Sequence, residues 1–154
     1  MVDRYSASAS EIFAGAIQDY QRGIIIGQKT FGKGTVQKLD NLSSGQIKIT
    51  ESKFYRVTGS GMQNKGIHPD IALPSTWDID EIGESSYNTA LPWDEIKPTS
   101  FQKFAMESTL ISELNNEHLV RASQSPNLKY IQDIRKRYDA VSYTHLTLPT
   151  ILLV

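Results

Sequence analysis

A serine and a lysine carry the chemistry this sequence offers. Ser8 stands in Tyr5-Ser6-Ala7-Ser8-Ala9-Ser10-Glu11, and Lys33 in Thr30-Phe31-Gly32-Lys33-Gly34-Thr35-Val36-Gln37. A serine hydroxyl becomes a nucleophile when an adjacent base takes its proton. The three histidines, His68, His118 and His145, stand far apart and in no motif, so lysine is the candidate base. A lysine accepts a proton only as the neutral amine, and neutralising an ordinary ammonium at pH 7 costs about 4–5 kcal/mol. Burial against apolar walls reduces that cost. Phe31 offers such a wall, and Gly32 and Gly34 let the chain bend inward.

Ser8-Ala9-Ser10-Glu11 also spells a capping box, with Ser at the N-cap and Glu at N3. Any helix could start so. The same position suits a nucleophile, because free backbone N–H groups and the positive end of the helix dipole lie beside it. Those groups stabilise the oxyanion that forms when the hydroxyl attacks a carbonyl. Ala7 and Ala9 leave room for a peptide to approach.

Lys33 belongs to a second pattern too. Gly27 to Thr35 nearly fits GxxxxGK[ST], the phosphate-binding loop, with an apolar strand ahead of it. Two features count against nucleotide binding. Position 34 is glycine, which displaces the hydroxyl by one residue. The next residues, Thr35-Val36-Gln37, read as a strand where a phosphate loop needs a helix N-terminus.

The elements that must position these residues are readable from periodicity. Between Ala9 and Tyr20, residues Ile12, Phe13, Ala16, Ile17 and Tyr20 recur at helical spacing, which predicts an amphipathic helix, whose face at Ile12, Phe13 and Ile17 is expected to lack cover in the chain by itself. Gly23 ends it, and Ile24-Ile25-Ile26 reads as a short buried strand. Residues 27–34 form a glycine-rich loop, 35–39 a strand and 41–45 a turn. Segments 47–50 and 53–57 are β-rich and form one long strand or two. Gly59-Ser60-Gly61 is a turn, and residues 70–73 make a last short strand. Residues 75–100 look irregular and acidic. Helices are expected near 110–122 and 127–139, separated by Ser125-Pro126.

Composition excludes several classes. With no cysteine there is no thiol catalysis, cysteine-ligated zinc or disulfide. A net charge of -1 gives no field that favours nucleic acid or an anionic membrane. No metal-ligand spacing and no cofactor motif stand out. There is no signal peptide and no apolar stretch of about 20 residues. Both ends look unusual. Met1-Val2-Asp3 runs straight into the serine segment, leaving no room for a supporting strand. Residues 141–154, VSYTHLTLPTILLV, turn abruptly uncharged and β-branched and resemble a translated sequencing-adapter tail. The expected organisation is therefore 1–74 as part of a catalytic core, 75–140 as an irregular segment with C-terminal helices, and 141–154 as a non-native tail.

Taken together, the segments resemble the carboxyl-terminal processing peptidases, and most closely their tail-specific protease branch. Asp3 to Tyr20 resembles the family's serine segment and Thr30 to Gln37 its lysine segment, with matching spacing between Ser8 and Lys33. Gly66-Ile67-His68-Pro69-Asp70-Ile71 resembles a "G-I-x-P-D-I" strand, and Ala90-Leu91-Pro92-Trp93-Asp94 a motif of the tail-specific branch. The resemblance covers about residues 2–140.

It implies an α/β fold, part of a crotonase-like serine protease core followed by C-terminal helices. It implies endoproteolysis, without a cofactor, of bacterial periplasmic or envelope polypeptides recognised by apolar C-termini, with an adaptor protein as a possible partner. Ser8 matches the nucleophile, Lys33 the base, and the Ala9 N–H one oxyanion donor. Gln37 matches a glutamine that some members use to orient the lysine, although an extended strand would hold it about 13 Å from Lys33. Asp19 matches an aspartate important in tail-specific members. It lies about 16 Å along the helix from Ser8, too far for a triad acid, and reads as structural support. The family carries a peptide-selecting PDZ domain and the first half of the core upstream. The chain by itself is therefore expected to be insoluble or partly unfolded, and inactive. The rival reading is a non-catalytic interaction fragment.

Overall fold

A computed structural model of the protein describes residues 1–77, 81–107 and 109–146. The elements run α1 (Ala9–Asp19), β1 (Ile26–Gly27), β2 (Thr35–Asn41), β3 (Gln46–Lys53), β4 (Ile71–Ala72), a 3-10 turn (Glu84–Ser86), α2 (Leu110–Gln124) and α3 (Pro126–Leu146). The chain is α/β. β1 pairs parallel with β4, Ile26 opposite Ile71, while β2 and β3 form an antiparallel hairpin. Ala14, Ile25, Met62 and Ile67 make the core, with Val2, Ile17 and Phe54 packed on it.

The expected strand at Ile24–Ile26 is shorter and shifted. The Ile25 N–H donates to the Asp70 carboxylate at 2.7 Å, and the Ile25 carbonyl accepts from the N–H groups of Asp70 and Ile71. A side chain thus satisfies a group that a ladder would otherwise hold, and the regular pairing begins only at Ile26. The first residues also do more than expected. Val2 bridges Gly27 in parallel, donating to the Ile26 carbonyl at 2.9 Å and accepting from the Gln28 N–H at 3.0 Å. That close approach needs glycine at position 27, where φ is +136° and a Cβ would meet the Val2 carbonyl oxygen at 1.8 Å.

α1 forms where the periodicity places it, with Tyr20 as its C-cap. Its apolar face is largely uncovered, as expected of the chain by itself. Glu11, Ala14, Gly15 and Asp19 face inward, while Ile12 and Phe13 are 40% and 69% exposed. Small residues are needed where Ile67 and Arg56 come within 3.2 and 3.6 Å of where a Gly15 Cβ would sit. Two carboxylates on that side meet strong donors: Arg56 at Asp19, and the lysine loop at Glu11. Polar satisfaction therefore outweighs the apolar stripe at this interface.

β3 stops at Lys53, so the β-rich stretch 47–57 is one strand followed by a turn inward. Phe54 donates to the Gly34 carbonyl, Tyr55 bridges Gly61, and Arg56 reaches Asp19. Beyond β4, residues 83–104 cross this unit as a strap. Its hydrogen bonds run from Glu84 N–H to the Phe31 carbonyl, through Ile96 N–H to the Gly59 carbonyl, to Phe104 N–H on the Tyr20 carbonyl. Trp93 donates its indole N–H to the Gly61 carbonyl at 2.8 Å, and the Lys65 ammonium lies 3.2 Å from its ring centroid. α2 and α3 form as expected, Pro126 taking the first helical position of α3, where its missing N–H costs nothing. α3 continues to Leu146, past residue 140 where the foreign tail was expected to begin; residues 147–154 lie outside the described ones, as do 78–80 of the expected acidic stretch. Among the described residues no helix is long and apolar enough to cross a membrane.

Candidate active site

Ser8 sits at the N-terminus of α1 in a backbone conformation that serine rarely adopts, φ 56° and ψ -115°. Such a residue stores about 1–3 kcal/mol of strain and persists only where its surroundings hold it. Its carbonyl accepts from the N–H groups of Glu11 and Ile12, at 2.9 and 3.1 Å. Its own N–H donates to Glu11 Oε2 at 2.9 Å. The Ala9 N–H beside it bonds to no group among the described residues, so a donor next to the hydroxyl stays available.

Glu11 is the residue that reading the sequence missed. It is fully buried, and its carboxylate accepts four donors. Oε2 takes the N–H of Ser8 and the N–H of Lys33, both at 2.9 Å. Oε1 takes the Gly32 N–H at 2.7 Å and the Thr30 hydroxyl at 2.5 Å. One oxygen therefore joins the serine and lysine segments, and the Ser8 and Lys33 backbone nitrogens lie at most twice 2.9 Å apart. The sequence signal was half visible. In the sequence Glu11 is the N3 partner of a capping box, which it is for the Ser8 N–H. Its second role needed the glycine-rich loop to fold back onto it.

The lysine loop is held on every side. Thr30 N–H donates to the Ile67 carbonyl and Ile67 N–H to the Thr30 hydroxyl. Gly34 N–H donates to the carboxamide oxygen of buried Gln63 at 2.9 Å, and a Cβ at Gly34 would meet the Gln63 backbone nitrogen at 2.5 Å. These bonds also dispose of the phosphate-loop pattern. The Gly32 and Lys33 N–H groups that would cradle a phosphate are taken by Glu11, and β2 comes next where a helix would be required.

The side chains are arranged more loosely than the backbone. Lys33 is half-buried, and its ammonium donates to the Thr35 carbonyl at 3.4 Å rather than to the Ser8 hydroxyl. Gln37 donates to the Thr50 hydroxyl at 3.4 Å. A bulge at Val36/Gln37 interrupts the hairpin register, and both Lys33 and Gln37 line one cavity of about 380 Å³. Asp19 is remote from this cavity. Its buried carboxylate takes the Arg56 guanidinium, with Nε at 3.0 Å. Among the described residues no three His, Asp or Glu side chains gather as metal ligands.

Known protein families resemble the chain along most of its length. The model of peptidase family S41 matches residues 1–73, and that of the C-terminal domain of tail specific protease matches residues 77–145. The tail-specific protease of Haemophilus influenzae is 46% identical over 138 residues, covering 82% of this chain. The chain belongs to peptidase family S41, in the tail-specific protease branch. It spans 20% of the length of that H. influenzae relative. The carboxy-terminal-processing protease of Bartonella bacilliformis is 45% identical over 74 residues, 47% of this chain and 17% of the relative. Among solved structures, a photosystem II D1 C-terminal processing protease aligns at 41% identity over 47% of this chain and 19% of its own, with a TM-score of 0.44.

Proposed function

We propose that this S41 chain carries the nucleophile and base of a serine endopeptidase of the bacterial envelope that acts on polypeptides with apolar C-termini. The observation that carries the reading is the shared Glu11 oxygen, which ties Ser8 and Lys33 together through their backbones while Ser8 is held strained. The Lys33 amine, turning from the Thr35 carbonyl, takes the Ser8 proton as the hydroxyl oxygen attacks the substrate carbonyl. The Ala9 N–H stabilises the oxyanion. The resulting ammonium gives its proton to the leaving amine, and water then attacks the acyl-serine with the same amine as base. Gln37 orients the amine across the shared cavity, and Asp19 supports the helix through Arg56. In this reading the whole enzyme works with an adaptor protein.

The test is cleavage by the protein at the length of its relatives. An unstructured polypeptide ending in apolar residues is expected to be cut, and one ending in charged residues spared. Ser8→Ala should abolish turnover, while its cap loss costs only about 0.5–2 kcal/mol. Ser6→Ala and Ser10→Ala should remain active, since the Ser6 hydroxyl is engaged with Asp3 and Ser10 is exposed. Cleavage that survives Ser8→Ala would refute the assignment.

A further inference from the structure

The lysine loop is fastened to the strap on both sides of Lys33. Before the lysine, the Glu84 N–H donates to the Phe31 carbonyl at 2.8 Å. After it, the link has two steps. The Gly34 N–H donates to Gln63 Oε1 at 2.9 Å, and Gln63 Nε2 donates to Glu84 Oε1 at 3.1 Å. One strap residue thus holds the loop by its main chain upstream and by its side chain downstream. Glu84 lies in the stretch that matches the C-terminal domain of tail specific protease, residues 77–145, whereas Phe31, Gly34 and Gln63 lie in the S41 match, residues 1–73.

The direction of this chain of bonds is set chemically. Gln63 is 1% exposed, so both ends of its carboxamide need partners. The Gly34 N–H only donates, so the carboxamide oxygen must face it. The NH2 group then needs an acceptor, and an ionised carboxylate does nothing but accept. Glu84 therefore decides which way Gln63 points. With the carboxamide reversed, its NH2 would face the Gly34 N–H, and two buried donors would meet. The loop has no slack to absorb that. The Gly34 carbonyl accepts from the Phe54 N–H at 2.7 Å, the Gly32 carbonyl from the Asn64 N–H at 2.9 Å, and the N–H groups of Gly32 and Lys33 are held by Glu11.

We propose that Glu84 and Gln63 are positioning residues for the base, so that the strap takes part in catalysis: docked, it holds the loop in the form from which the Lys33 amine reaches the Ser8 hydroxyl. The proposal rests on the Ser8–Lys33 reading above. A catalytic group displaced by about 1 Å loses up to about a hundredfold in rate. Contacts that bind substrate in the ground state are not touched, so the signature is a lower kcat at constant KM.

The experiment measures kcat and KM in the protein at the length of its relatives, with one polypeptide substrate that the parent cuts. Glu84→Ala removes the carboxylate and keeps the N–H bond to Phe31. Its kcat should fall about tenfold with KM changed by less than about twofold, and hydrogen exchange at the Gly34 amide should speed up. Glu84 is half-buried, so this variant should fold, and thermal melting checks it. Gln63→Glu sets two carboxylates against each other and should lose at least as much. Adding Glu84→Gln to it restores a donor facing an acceptor, and should recover kcat at least about threefold over Gln63→Glu alone. Tyr55→Phe removes another strap anchor, the bond to Asp94 at 3.1 Å, without touching the loop, and should keep the parent kcat. An unchanged kcat in Glu84→Ala, a loss carried by KM instead, no recovery in the double variant, or an equal loss in Tyr55→Phe would each overturn the positioning role while leaving the dyad intact. Cleavage by the parent that survives Ser8→Ala would overturn the dyad reading and the positioning role with it.

Discussion

Replacing Glu11 by glutamine keeps the shape of the side chain and removes half of what it does. Four donors converge on its two oxygens. A carboxamide offers one acceptor oxygen, and its NH2 group would face donors instead of accepting from them. Glu11→Gln should therefore destabilise the chain by about 1–3 kcal/mol and lower proteolysis together with the order of both segments. Hydrogen exchange at the Ser8 and Lys33 amides would register the loss, and unchanged protection at both would show that Glu11 does not join them. Lys33→Arg tests the base itself. Guanidinium keeps the positive charge but does not give up its proton at workable pH, so proteolysis should fall by at least about a hundredfold. ATP binding is expected in neither protein, because the loop N–H groups belong to Glu11. Ser8 and Lys33 were legible in the sequence because each sits in a local motif with its own chemistry. Glu11 was legible only as a cap, and the Arg56 partner of Asp19 not at all, since nothing in either segment announces a pairing across 37 residues.

α1 shows what periodicity leaves out at the scale of an element. Its apolar stripe leaves Ile12 and Phe13 without cover in this chain, as expected, while the inward side carries Glu11, Ala14, Gly15 and Asp19, which the stripe does not announce. Phe13→Ser should then change the stability of this chain by no more than about 0.5 kcal/mol. Asp19→Ala should cost more, about 1–3 kcal/mol, by leaving the Arg56 guanidinium without its carboxylate. Chemical denaturation of the two variants checks the order, and a costly Phe13→Ser would restore the apolar face to the core. The extents of α1, β2 and α2 were readable because a helix or hairpin is specified by its own residues, whereas α3 runs on past 139, its expected end, to Leu146. The ends of β1 and β3 were not, because Asp70 and Gly34 take up groups that a longer ladder would have used. The lysine loop is as constrained as any element. Gly34→Ala would push a Cβ against the Gln63 backbone, where no flexible side chain can yield. About 1–3 kcal/mol of destabilisation is expected, with a loss of the bond from Gly34 to Gln63 that displaces Lys33.

The whole molecule rests on a thin core and an extensive polar network. Only Ala14, Ile25, Met62, Ile67 and Ile71 are buried apolar residues among those described, whereas Arg4, Glu11, Asp19, Thr30, Thr35 and Gln63 are buried polar ones. No residue of α2 is buried. Each large side chain left in water forgoes about 1.5–3 kcal/mol, so the 154-residue chain on its own should melt over a broad range and cut no substrate. A sharp thermal transition together with cleavage would refute that. Such a network is also sensitive to pH, and His68 gives the direction. Partial desolvation first, and then the charges of Lys29 and Arg4, hold the imidazole below its ordinary value of 6.5, although the residue as a whole is exposed. The folded state thus prefers neutral His68, and the unfolded chain takes up the proton at higher pH. The contribution is fully present above about pH 6.5 and is lost as pH falls from there toward the lower folded value. In the protein at the length of its relatives, the thermal midpoint should drop between about pH 7.5 and about pH 5.5, and His68→Gln should drop less over that interval. Equal drops in parent and variant would mean that the acid sensitivity lies with other groups.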